Sequence, residues 1–167
     1  GLERAIKSLA LGLQARHKPV TIVSDACGYW SAADADLSPL EGTMDRVLVD
    51  APCTGSGTWR RNPDAKWSSR PSDIARLAHQ QVRFLDHLAP LVKINGVLVF
   101  AVCSMEPEEN ESVIMQFLKK HPNFAITAGQ AITEKSVLPL LDADGFFRSA
   151  PHTHHMDGFF AARLIRT

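Results

Sequence analysis

The sequence predicts an α/β fold built on a mostly parallel sheet, and three observations carry that expectation. Short apolar runs rich in Val, Leu and Ile alternate with amphipathic stretches at helical spacing. Each of three such runs stops at a residue able to do chemistry, Asp25, Asp50 or Cys103. The length of 167 residues, with 45% hydrophobic and 22% charged content, suits one ordinary globular domain. A chain of this size buries roughly two thirds of the surface that its unfolded form exposes, so a real core is expected.

Taken in order, "GLERAIKSLALGLQARHK" (1–18) has the pattern of an amphipathic helix and lacks a signal-peptide cleavage site. "PVTIVSDA" (19–26) reads as a short buried strand ending at Asp25, and "DRVLVDAP" (45–52) as another ending at Asp50. Residues 72–92 place apolar side chains at helical spacing, with Ser72 as a cap, and Asn95-Gly96 turns into a strand over 97–104. Residues 106–122 predict one helix, with Pro107 in its first turn, acids at its start and Lys119, Lys120 and His121 at its end. That charge order suits the helix dipole. A weak strand follows at 123–128, then a stretch with hairpin potential (129–157), and a last strand at 158–166. There are no internal repeats, low-complexity segments or interdomain linkers.

In open α/β sheets ligands bind outside the carboxyl ends of the strands. Asp25, Asp50 with Cys53, and Cys103 all fall at that edge, so three separated segments aim at one crevice. An isolated free cysteine usually acts as a small hydrophobe. Two at equivalent strand ends, one of them three residues after an aspartate, argue instead for a nucleophilic site. The three cysteines, Cys27, Cys53 and Cys103, form neither a disulfide framework nor a CxxC zinc pair, which points to free thiols in a reducing, cytoplasmic compartment. No apolar run approaches the roughly 20 residues that span a membrane.

Lysine plus arginine equals aspartate plus glutamate at 18 each, so an anionic partner would have to meet a local patch. Arg60, Arg61 and Lys66, just past Cys53, form either such a patch or a solvated charge run. Trp59 and Trp67 suit either base stacking or core packing. His152, His154 and His155 lack a second ligand cluster, so no metal site is assigned.

"DAPCTGSG" followed by "RRNPDAKW", then "VFAVCSMEPEEN", then "DGFFAARL", resembles the Nop/Sun (Sun/Fmu) family of S-adenosylmethionine-dependent RNA cytosine-5 methyltransferases. The likeness runs from about residue 19 to the end. It implies a Rossmann-like class I methyltransferase fold with a C-terminal antiparallel strand, S-adenosylmethionine as cofactor, and ribosomal or transfer RNA as partner. It also implies roles for individual residues. Cys103 would be the thiolate that adds to carbon 6 of cytosine, Cys53 would assist release of the enzyme after methyl transfer, and Asp50 would hydrogen-bond the base near N3. Asp25, Asp50 and Pro52 would line the cofactor pocket, and Arg60, Arg61 and Lys66 would meet RNA.

The sequence departs from the family at its start. The glycine-rich "AAPGGK"-type segment and the acid that holds the cofactor ribose are absent, and "LERAIKSLALGL" resembles the helix that follows the family's second strand. The expectation is a partial catalytic domain over residues 1–167, missing the first two strands of the sheet and the cofactor-loop half. Such a chain would be inactive alone, with the N-terminal remainder of the same protein as its partner. The rival expectation is a noncatalytic RNA-binding or assembly module that kept the motifs.

Overall fold

The computed structural model describes residues 37–127 and 135–167. The expected helix over 1–18, the strand over 19–26, Asp25 and Cys27 lie outside the described residues.

The described chain forms five strands and four α-helices. In order they are β1 (Met44–Asp50), α1 (Ala65–Ser68), α2 (Pro71–Leu88), β2 (Val92–Val102), α3 (Glu111–Lys120), β3 (Phe124–Ile126), β4 (Phe147–Ser149), α4 (Pro151–His154) and β5 (Phe159–Arg166). The sheet runs β1-β2-β5-β3, with β4 also paired to β5. β1 and β2 are parallel, joined through α2, with Val49 opposite Phe100 and Asp50 opposite Ala101. β5 is antiparallel to β2, β3 and β4. Four strands therefore share one direction and the last strand alone is reversed, the arrangement expected of a mostly parallel sheet with a C-terminal antiparallel strand.

Alternation sets the faces. Leu98, Phe100 and Val102 on β2 and Phe160, Ala162 and Leu164 on β5 are buried on one side, beneath Leu85 and Leu88 of α2 and Val113, Ile114 and Phe117 of α3. Phe100 meets Phe160 edge-on at 6.4 Å between ring centroids. Among the described residues no helix is long and apolar enough to cross a membrane.

Several boundaries differ from the sequence expectation, each for a local reason. α2 begins at Pro71, so Ser72 lies inside it and does not cap it. The Arg70 N–H donates to Asp73 Oδ2 at 3.0 Å while the Asp73 N–H donates to the Arg70 carbonyl at 2.9 Å, and Arg70 is held extended by the proline that follows. The helix stops at Leu88, short of residue 92, because Pro90 tightens Ala89–Leu91 into a 3-10 turn. β2 starts at Val92 and not at 97: Asn95, at φ 63°, is absorbed as an irregularity between the Met44 and Arg46 pairings. The single helix expected over 106–122 is a 3-10 turn, Pro107–Glu109, and a separate helix from Glu111, broken by Asn110 at φ −107°, ψ −109°.

Candidate active site

Parallel pairing puts the carboxyl ends of β1 and β2 side by side. The Ala51 N–H still donates to the Ala101 carbonyl at 3.0 Å. Pro52 then ends the ladder, having no N–H to give. Three residues past Asp50, Cys53 turns toward Cys103, the first residue after β2, and the two sulfurs stand 3.5 Å apart across fifty residues of sequence. Both thiols are free and half-buried.

The loop after Cys53 is fastened to the loop after Cys103 at several points. Gly57 donates its N–H to the Cys103 carbonyl at 3.0 Å and accepts from the Gly158 N–H at 2.9 Å. Ser56 Oγ accepts from the Met105 N–H at 2.9 Å. Glu109, fully buried on its 3-10 turn, accepts from the Thr54 N–H at 3.0 Å, the Thr54 hydroxyl at 2.5 Å, the Ser104 hydroxyl at 2.6 Å and Gln81 Nε2 at 3.1 Å. Gln81, also fully buried, reaches from α2 to the Pro52 carbonyl at 2.9 Å.

The two thiols are unequal. The hydrogen bond with Cys103 pushes the Cys53 thiol far up, and burial adds to this. The same bond pulls the Cys103 thiol down, against burial and the neighbouring Asp50 charge. Of the two, Cys103 is therefore the sulfur that ionises more readily. Burial raises the Asp50 carboxyl above its ordinary value, although the residue keeps an exposed side at the end of β1.

Of the residues that the resemblance implies for the cofactor, Asp25 is not among those described. Asp50 offers a solvent-reachable carboxyl group beside Cys103, chemistry that suits a hydroxyl- or amine-bearing cofactor. Pro52 is half-buried and its carbonyl already accepts from Gln81, so it can contribute mainly its ring.

Arg60 and Arg61 converge on one acid. Asp157, whose side chain is 9% exposed, pairs with Arg60 at 3.4 Å and with Arg61, while the two arginines remain 58% and 63% exposed. Lys66 and Trp67 are exposed on α1, Trp67 at 85%. Trp59 is half-buried. Among the described residues no group of three or more His, Cys, Asp or Glu could hold a metal ion. His154 serves its own turn, its Nδ1 accepting from the Ala150 N–H at 3.0 Å.

Sequence reasoning missed Gln81, Asp157 and the glycine pair. Gln81 sits on the buried stripe of α2 with Ala78, Val82, Leu85 and Leu88, and a polar residue in that register was the available signal. In sequence Glu109 and Asn110 suit either an anchor for this neighbourhood or the acidic start of a helix, and both are buried here.

A family model described as "16S rRNA methyltransferase RsmB/F" matches residues 18–165. The chain belongs to that family. It is 45% identical over 123 residues to "Probable ribosomal RNA small subunit methyltransferase B" of Bacillus subtilis (strain 168), covering 72% of this chain and 27% of that protein. The crystal structure of PH0851 is 37% identical, with a TM-score of 0.65 over 75% of this chain and 27% of that one. That of NSun6 from Pyrococcus horikoshii with SFG is 27% identical, with a TM-score of 0.56 over 71% of this chain and 29% of that one. This RsmB/F-family chain thus spans 27–28% of the length of the first curated relatives it matches.

Proposed function

We propose that the chain is part of the catalytic domain of an RNA methyltransferase that transfers a methyl group to carbon 5 of a cytosine in small-subunit ribosomal RNA through a covalent cysteine adduct. The observation that carries this reading is the unequal pair of thiols, 3.5 Å apart at the ends of two parallel strands. Family membership and the relatives named for ribosomal RNA methylation support the substrate class. The solved relative with SFG supports S-adenosylmethionine as methyl donor.

Cytosine carbon 5 is a poor nucleophile. The Cys103 thiolate forms a bond to carbon 6, and the displaced ring electrons make carbon 5 electron-rich, a form of covalent catalysis. Asp50, at the carboxyl end of β1 beside Cys103, is suited to hydrogen-bond the base near N3 and so make carbon 6 more electrophilic. Asp50 and Pro52 would hold part of S-adenosylmethionine, which would supply an electrophilic methyl group to carbon 5 and leave as the neutral thioether. The carbon 5 proton must then leave and the carbon 6–sulfur bond must break, returning the electron pair to Cys103.

Cys53 is suited to the last stage because of what keeps it protonated earlier. Its thiol is held up chiefly by the Cys103 sulfur. Once that sulfur is bonded to carbon it carries no charge, so Cys53 becomes easier to ionise when a base is needed. Arg60 and Arg61, braced by Asp157, and the exposed Lys66 are suited to phosphate contacts.

The test uses the full-length protein with labelled cofactor and ribosomal RNA. Cys103→Ala abolishes methyl transfer, whereas Cys53→Ala accumulates an RNA adduct that survives denaturation. RNA binding with neither adduct nor transfer would favour a noncatalytic RNA-binding module, and transfer to DNA or protein would overturn the substrate.

A further inference from the structure

Glu109 is 0% exposed, and burying a carboxylate is costly unless its oxygens are satisfied. Among the described residues it forms no ion pair. Its oxygens are met instead by hydrogen-bond donors from three elements, and the donors sit beside the reactive sulfurs. Thr54 follows Cys53 and gives both its N–H and its hydroxyl, at 3.0 Å and 2.5 Å. Ser104 follows Cys103 and gives its hydroxyl at 2.6 Å. Gln81 joins at 3.1 Å while also holding the Pro52 carbonyl, just before Cys53, at 2.9 Å. An acid serving only the helix dipole would stand at the surface. This one is drawn inside by the 3-10 turn that precedes α3.

We infer that Glu109 is a positioning residue: its carboxylate clamps the Cys53 loop to the Cys103 loop and thereby holds the two sulfurs within hydrogen-bonding distance. The consequence for catalysis rests on the proposed methyl transfer, but the clamp itself is readable from thiol reactivity without turnover.

Two effects of Glu109 on Cys103 oppose each other. Its negative charge disfavours the thiolate, while the clamp favours it by keeping Cys53 in place as donor. The other titratable groups facing Cys103 among the described residues are Cys53 and Asp50. Glu109→Gln separates the two effects. Its carboxamide oxygen can accept from Thr54 N–H and Gln81, and its amino group can donate to the Thr54 and Ser104 hydroxyls, which reverse their roles. Glu109→Ala loses charge and clamp together.

The experiment follows the pH dependence of iodoacetamide labelling of Cys103, resolved peptide by peptide by mass spectrometry, in the folded full-length protein. Glu109→Ala moves the inflection up by about one pH unit, the size of a lost hydrogen bond to a charged group. Glu109→Gln leaves it in place or moves it down. Thr54→Val, which removes only the hydroxyl leg, moves it up by less and decides the matter if Glu109→Ala does not fold. A downward shift in both Glu109 variants would mean that charge alone acts, and unshifted labelling in Glu109→Ala or in Thr54→Val would leave only a structural role. Either result overturns the clamp. Absence of methyl transfer by the unmodified protein would instead defeat the proposed function and leave these labelling results standing.

Discussion

Gly57 and Gly158 cross with no room for a side chain on either. A Cβ on Gly57 would stand 2.1 Å from the Gly158 carbonyl oxygen, and one on Gly158 would stand 2.8 Å from Gly57 Cα. Backbone meets backbone here, so no rotamer change can relieve the contact. The crossing ties three segments that are distant in sequence, because Gly57 also donates to the Cys103 carbonyl.

Gly57→Ala therefore forces one of the two strands of backbone to move. The expected loss is about 3 kcal/mol, the upper range for adding a methyl group to a packed site, measured as a lower urea midpoint with an unchanged slope. Labelling of Cys103 should change with it, since the carbonyl of that residue loses its partner. A variant as stable as the parent would show that the crossing is looser than the structure has it.

Asp50 gives a pH-dependent expectation. Burial raises its carboxyl in the folded chain above the ordinary 3.8, so folding favours the protonated form. The associated stability is fully present below that ordinary value and is lost as the pH rises through the raised one. Asp50→Asn, which cannot ionise, should match the parent at about pH 3 and exceed it in stability at about pH 7. Urea titrations at the two pH values check this, and a destabilised variant at the higher one would contradict it.

If the arginines beside the site meet phosphates, Arg61→Ala weakens RNA binding about equally for all sequences and lowers the slope of log affinity against log salt by roughly one. Lys66→Ala should do the same independently, as the two side chains stand on different turns. Filter binding at several salt concentrations measures both, and a change confined to one RNA sequence would speak for base readout instead.

The sheet was legible because its signals are local. Apolar runs ending at Asp50 and Cys103 marked the strands, and the strand-helix-strand order fixed their parallel pairing. What stayed hidden depends on chain folded back from elsewhere. Nothing near Glu109 in sequence announces that Thr54 and Gln81 will surround it, and an acid two residues after a proline at a helix start has a sufficient local explanation. Gln81 was concealed by its neighbours, since one polar residue barely weakens an apolar stripe. Asn95-Gly96 misled in the opposite way: it carries a turn signature, yet pairing with β1 both before and after it, at Val92 and Val97, absorbs the irregularity into one strand.

The 3.5 Å between Cys53 and Cys103 makes the chain's reactivity a property of its tertiary closure. Before β1, α2 and β2 have come together nothing holds the two sulfurs side by side, so neither shifts the acidity of the other. Glu109 and Gly158, which fasten the two loops, both follow Cys53 and Cys103 in sequence, so the pairing is completed only by chain that lies beyond both cysteines. The inequality of the two thiols and the completion of the fold are therefore one event.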